Sequence, residues 1–376
     1  MEQEIITIIF NNFGKKILLS LKKGTTIQEL INQYYEKIEK GNLVDENIEK
    51  TYFIYNNQTI IYKDNKETIE SFFGNKIQIL INVLRLEYNK SYSDYVKTRT
   101  IKDNIYTCVD EAKIKTPDDE EILVAVKKIK KERIKEDLME DLCTTILTKE
   151  DFKPNIEKFN KELMYMKLCH CENSVEIYDY YDTKDEFVII MELCDDTLLN
   201  LLAQTESGFS VEKIKDILLQ LNNAFKIMHK NKISHRDIKL NNILVKYINK
   251  ENNEFKVLLS DYGISNQLNN LTTSFKTHIG TRIIMAPEIL KGQKYNDKCD
   301  LWSLGVNIYK LKTKEFPYKS KGNVDSEILE QIHLKGKTVL DKIPDEKLKN
   351  LLSRLLEENP QDRISWDEYF EHEFFE

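Results

Sequence analysis

Eight consecutive residues, His235-Arg236-Asp237-Ile238-Lys239-Leu240-Asn241-Asn242, place a carboxylate, a cation two residues on and a carboxamide five residues on in one short segment. Those three groups suit phosphoryl transfer. An alcohol attacking the terminal phosphorus of a nucleoside triphosphate needs a carboxylate to orient its hydroxyl and take its proton, and Asp237 fits that role. Lys239 can neutralise charge as it spreads over the transferred oxygens. Asn242 offers a neutral oxygen to Mg²⁺, a hard cation that usually shares its shell with phosphates and water.

Other motifs follow in an order that carries a resemblance. Val124-Ala125-Val126-Lys127 is a β-branched run ending in a cation, and the amphipathic stretch from Phe159 to Met166 offers Glu162 as that cation's partner. Phe255-Lys256-Val257-Leu258-Leu259-Ser260 reads as an apolar strand delivering Asp261-Tyr262-Gly263, and Gly280-Thr281 and Met285-Ala286-Pro287-Glu288 come after it. Asp300-Leu301-Trp302-Ser303-Leu304-Gly305 and Asn359-Pro360-Gln361-Asp362-Arg363 complete the series. From near residue 95 to the end, the chain resembles the eukaryotic protein kinases.

The resemblance implies a bilobal α+β fold that uses ATP and Mg²⁺ on a protein substrate. In it Lys127 holds the α and β phosphates and pairs with Glu162, Asp261 and Asn242 bind the metal, and Asp237 and Lys239 act on the reacting groups. Glu288 pairs with Arg363, and Asp300 anchors the catalytic loop, so these three are structural. Lys239, and Thr281 as its companion, match the serine/threonine pattern. Val109, Ala125 and Leu244 would enclose the adenine, with Met191 as gatekeeper and Glu192 and Cys194 facing the ring's edge through their backbone. Arg236 is the cation for a phosphorylated activation segment, where Thr272, Thr273, Ser274 and Thr277 are candidates and Thr277 is preferred.

One segment departs from the family. The glycine-rich loop lets backbone amides approach phosphates because glycine has no Cβ in the way. Lys102-Asp103-Asn104-Ile105-Tyr106-Thr107-Cys108-Val109 stands in its place with no glycine at any of the three positions. Tyr106 can still supply the aromatic tip and Asn104 tolerates left-handed geometry, so weaker or slower nucleotide binding is expected. Two alternatives stay open: a catalytically weak pseudokinase scaffold, and an adaptor acting through its amino-terminal region.

That region has its own pattern. Ile5 to Phe10 and Lys16 to Leu21 flank an Asn/Gly turn, which signals a hairpin. Thr25-Thr26 precede an amphipathic stretch from Ile27 to Glu39, and two more strands are expected around 52–55 and 77–83. The order strand, strand, helix, strand, strand resembles a small ubiquitin-like β-grasp domain. With no terminal Gly-Gly, it would be a docking module for a protein partner. The expected organisation is a ubiquitin-like domain over 1–86, a linker over 87–101 and a kinase domain over 102–376, with a small lobe to about 191 and a large lobe from about 195. Lys130 to Glu157 reads as a charged insertion before the regulatory helix.

The chain's 376 residues, 41% apolar, suffice for two or three cored domains. A net charge of −7, with no basic patch interleaved with aromatics, argues against nucleic acid. Six scattered cysteines include one tight cluster, Cys169-His170-Cys171, too few ligands for structural zinc. The acidic start Met1-Glu2-Gln3-Glu4 leads into a short apolar run, and no segment nears the roughly 20 apolar residues of a membrane span. A cytoplasmic protein, neither exported nor membrane-bound, is the expectation.

Overall fold

The computed structural model describes residues 5–12, 15–39, 51–55, 58–59, 66–74, 78–85, 95–104, 107–115, 120–130, 163, 165–183, 185–231, 233–261, 282–293, 295–320 and 324–376. Two compact units divide at Tyr88/Asn89.

In the first unit, β1 (Ile5–Asn12) and β2 (Lys15–Lys22) form an antiparallel pair, and α1 spans Ile27–Glu39. β3 (Thr51–Tyr55), β4 (Gln58–Thr59), a short helix α2 (Ile69–Phe73) and β5 (Gln78–Arg85) follow. The sheet order is β2-β1-β5-β3-β4, with β1 and β5 parallel at its centre. Period-2 alternation sends Ile6, Ile8 and Phe10 inward, where they meet Ile27, Leu30, Ile31 and Tyr34 of α1 at helical spacing. Thr26 starts α1 with a capping box: the Glu29 N–H donates to Thr26 Oγ1 at 3.2 Å, and the Thr26 N–H donates to Glu29 Oε2 at 2.9 Å.

The second unit begins with an antiparallel sheet of order β6-β7-β8-β10-β9. Its strands are β6 (Val96–Asp103), β7 (Thr107–Lys115), β8 (Glu121–Lys130), β9 (Ile177–Asp182) and β10 (Glu186–Glu192). β6 lies mostly within the stretch expected as linker, so the connection is shorter than the sequence implied. All eight β6 side chains are exposed, and its apolar content never produced a strand signature.

Below that sheet come β11 (Asp196–Thr197), α3 (Leu198–Gln204) and α4 (Val211–Lys230). The pair β12 (Ile243–Asn249) and β13 (Glu254–Leu259) follows a 3-10 turn at Leu240–Asn242. The remaining helices are α5 (Pro287–Leu290), α6 (Lys298–Thr313), α7 (Asp325–Lys335), α8 (Glu346–Leu355) and α9 (Trp366–Phe370). α6 is the central one, buried almost all round from Cys299 to Leu311. At Gly305 a Cβ would come within 2.9 Å of Leu355 Cβ, which is why glycine stands where α6 and α8 cross. No described helix is long and apolar enough to cross a membrane.

Candidate active site

The segment 235–242 is built on α6. Asp300 accepts the backbone N–H groups of His235 (2.7 Å) and Arg236 (2.8 Å), so one carboxylate grips two consecutive amides. Burial pushes its carboxyl up to about 6, although both N–H groups pull the other way. Seven residues on, Asn307 donates to Ile238 O (2.9 Å) and accepts the Leu240 N–H (3.2 Å). Sequence reading missed Asn307; the available signal was a carboxamide in the apolar run from Leu304 to Tyr309, on the face of Asp300.

His235 is fully buried, and its Nε2 lies 2.9 Å from Ser260 O, while the Asp237 N–H donates to Nδ1 (3.3 Å). The second bond requires an unprotonated Nδ1, so Nε2 carries the hydrogen and donates to Ser260. Burial, the largest influence, lowers the imidazole's pKa in keeping with that neutral form. His235 thereby couples the loop to the end of β13.

The chemistry-bearing atoms converge. Asp237 Oδ2 receives Lys239 Nζ (2.6 Å) and Asn242 Nδ2 (2.9 Å), and the same Nδ2 also reaches Asp237 O (2.9 Å). Asp237 Oδ1 is buried and accepts no hydrogen bond from the described residues. A carboxylate oxygen so placed can accept a hydrogen bond from a hydroxyl. Asn242 spends its nitrogen on Asp237, so the oxygen is the end suited to a cation.

Asp261 follows β13 with φ +57, a strained setting for a non-glycine residue, and Lys127 Nζ meets its Oδ1 at 2.6 Å. Burial would raise the Asp261 carboxyl, but the Lys127 ammonium outweighs it and holds the group below the usual carboxylate range. Lys127 and Asp261, 134 residues apart, thus meet in the fold.

On β8 the register sets Lys127 opposite Val109 and Ala125 opposite Met191, while Leu244 pairs with Leu258. Ile101, 48% exposed, is the extra residue where the β6 register shifts between Thr100 and Lys102, the latter paired with Val109. It is an apolar neighbour of that row which the sequence did not single out. Glu192 ends β10 with its carboxylate paired to Lys246 and with Lys256 at 4.0 Å. Burial, then the Glu192 charge, pushes the Cys194 thiol up to about 12, so it is not a nucleophile.

Arg363 and Glu288 form a bidentate pair (2.7 and 2.9 Å). Arg236 has φ +65 and its guanidinium lies 5.9 Å from the Tyr295 ring centroid. Glu162, Tyr106, Tyr262, Thr272, Thr273, Ser274, Thr277, Gly280, Thr281 and the insertion from 131 lie outside the described residues. Among the described residues no group of histidine, cysteine and carboxylate side chains forms a metal site, Cys169-His170-Cys171 included.

A five-stranded antiparallel sheet carrying the buried Lys127 and a helical part presenting Asp237, Asn242 and Asp261 make a mixed α/β, kinase-like fold. The protein kinase domain family is matched over residues 106–375, and the chain belongs to it. The human serine/threonine-protein kinase ULK1 is 30% identical over 251 residues, 65% of this chain and 23% of that protein. Serine/threonine-protein kinase cds1 of Schizosaccharomyces pombe is 30% identical over 237 residues, 61% of this chain and 50% of its own length. Serine/threonine-protein kinase pakG of Dictyostelium discoideum is 36% identical over 163 residues, 43% of this chain and 13% of that protein. The chain therefore spans between about an eighth and a half of these relatives. Membership implies use of ATP and a divalent metal, and the groups present fit both: the Asn242 side-chain oxygen, the Asp261 carboxylate and the Lys127 ammonium.

Proposed function

We propose that this chain transfers the γ-phosphate of Mg-ATP to serine and threonine hydroxyls of protein substrates. The observation that carries the reading is Asp237, whose Oδ2 is fixed by Lys239 and Asn242 while its buried Oδ1 has no donor among the described residues. Oδ1 orients the attacking hydroxyl and takes its proton. Lys239, already 2.6 Å from Oδ2, neutralises charge on the transferred group. Lys127 binds the α and β phosphates, and its partner Glu162 belongs to the same reading. ATP supplies the phosphoryl group, and Mg²⁺ held by Asn242 and Asp261 neutralises its oxygens.

Val109, Ala125, Met191 and Leu244 enclose the adenine, with Glu192 and Cys194 at its edge. Phosphate on Thr277 would bond Arg236 and order the activation segment. The β2-β1-β5-β3-β4 order with a parallel centre supports reading the first unit as ubiquitin-like, a docking module for a protein partner. A cytoplasmic setting accords with this activity.

The test is transfer of labelled γ-phosphate from Mg-ATP to protein, comparing wild type with Asp237→Asn. Loss on the order of 10²- to 10⁴-fold in kcat is expected for a removed general base. Equal, negligible transfer by both proteins would favour the second reading, a pseudokinase scaffold, for which the observation is the glycine-free segment 102–107.

A further inference from the structure

The turn that replaces the glycine-rich loop is closed in an unusual way. Asn104 N–H donates to Thr107 O at 2.9 Å, as in any tight hairpin. The return bond does not go to the Asn104 main chain. Thr107 N–H donates instead to the side-chain Oδ1 of Asn104, at 2.7 Å, and the Thr107 hydroxyl donates to the same oxygen at 3.1 Å. Thr107 and Val109 alternate onto the face of β7 that pairs with Ile129 and Lys127, so Thr107 stands on the side of the sheet that carries the phosphate-binding lysine.

Backbone N–H groups in such a loop are its means of holding phosphate, since the residues between bear no cation. Here one of those donors is already taken by an internal acceptor. We propose that Asn104 is an affinity-determining residue: its side-chain carbonyl occupies the Thr107 amide and must be displaced before a nucleotide phosphate can use it. The inference rests on the nucleotide reading of the site and adds a cause for weak binding beyond the missing glycines.

The displacement is feasible. A phosphate oxygen is charged, and charge-assisted bonds are about twice as strong as the neutral one it replaces. The Asn104 backbone is held independently by its own N–H to Thr107 O, and Lys130 Nζ lies 3.3 Å from Asp103 Oδ1 and 3.5 Å from Asn104 O. The displacement turns the Asn104 side chain away from Thr107 and leaves the bond from Asn104 N–H to Thr107 O in place. The cost of breaking the internal bond is subtracted from ATP binding and not from adenosine binding, because adenosine has no phosphate to offer.

The experiment is calorimetric titration of the full chain, wild type, Asn104→Ala and Asn104→Gly, with Mg-ATP and with adenosine. Removing the acceptor is expected to tighten Mg-ATP about three- to tenfold, the worth of one neutral hydrogen bond, and to leave adenosine unchanged. A residue that merely staples the turn predicts the opposite sign: both variants bind Mg-ATP more weakly, glycine more so than alanine. That result, or unchanged affinities, overturns the inference while leaving the nucleotide site standing. Failure of all three proteins to bind either compound overturns the nucleotide reading and this inference together.

Discussion

Glu288→Ala should unfold the second unit at a much lower temperature, and the reason lies in what it leaves behind. The Arg363 side chain is 0% exposed and that of Glu288 2% exposed, so water cannot replace the lost carboxylate. Two guanidinium nitrogens lose their acceptors at 2.7 and 2.9 Å, while bonds to Lys298 O (3.0 Å), Glu357 O (3.0 Å) and Glu358 O (3.3 Å) hold the charge in place. An uncompensated buried charge of this kind costs about 3–5 kcal/mol. At roughly 2 to 4 °C per kcal/mol for a unit of this size, Tm falls by about 10 °C.

Tryptophan fluorescence isolates the event. The chain's two tryptophans, Trp302 and Trp366, both lie in the second unit, and Arg363 stacks 5.2 Å from the Trp302 ring centroid. Arg363→Met should be similarly damaging, because it strands Glu288 and frees three carbonyls. Combining Arg363→Met with Glu288→Leu removes both charges and should be no less stable than Arg363→Met alone, a coupling of about 2–3 kcal/mol. A fall under about 2 °C for Glu288→Ala, or strict additivity in the double variant, would refute the reasoning, since either means the charge is not stranded.

Other outcomes follow from the same geometry. Asn307→Ala removes the bonds to Ile238 O and from the Leu240 N–H, so kcat for phosphoryl transfer should drop at least tenfold with little change in KM for ATP; an altered KM alone would place its effect elsewhere. Gly305→Ala forces a Cβ to 2.9 Å from Leu355 and 3.0 Å from Leu356 and should destabilise by about 1–3 kcal/mol in urea unfolding. Asp300 holds its proton more tightly folded (about 6) than unfolded (3.8), so its contribution to stability rises as pH falls through 6 and is complete below 3.8. Wild type should therefore gain about 2 kcal/mol on Asp300→Asn, which cannot titrate, between pH 7 and pH 4; parallel pH curves would exclude it. Cys194, with its thiol at about 12, should resist iodoacetamide at neutral pH in the folded chain, as mass spectrometry of the peptide would show.

The site was legible where chemistry depends on short spacing. Asp237, Lys239 and Asn242 are within five residues of one another, and a loop that short cannot keep them apart. The strands that carry Lys127 and lead to Asp261 announced themselves by β-branched and apolar runs, although the meeting of these two residues at 2.6 Å rests on long-range folding. The first unit's hairpin and α1 were equally plain, because a half-buried strand must alternate and a half-buried helix must repeat every three or four residues. β6 was not legible: its side chains are all exposed, so no burial constraint wrote a pattern into its sequence. Neither was the Asn104 turn, since a side chain that substitutes for a main-chain acceptor has no periodicity.

α6 shows why the catalytic loop needs so little regular structure of its own. Asp300, Ser303 and Asn307 recur at three and four residues, one face of the helix, and each bonds to backbone outside it, Asn307 also donating to Ser303 O at 2.7 Å within the helix. Asp300 takes the amides of His235 and Arg236, Ser303 donates to Ile284 O at 2.9 Å, and Asn307 closes on Ile238 and Leu240. Arg236 sits at φ +65, a conformation a non-glycine residue holds only when its surroundings impose it, and its N–H is one of the two that Asp300 grips. The strain is thus held by a buried carboxylate on a rigid helix. It turns the next residue, Asp237, so that Lys239 and Asn242 can fix one carboxylate oxygen and leave the other open. Loosening Asp300 or Asn307 would release that turn without touching any group that reacts.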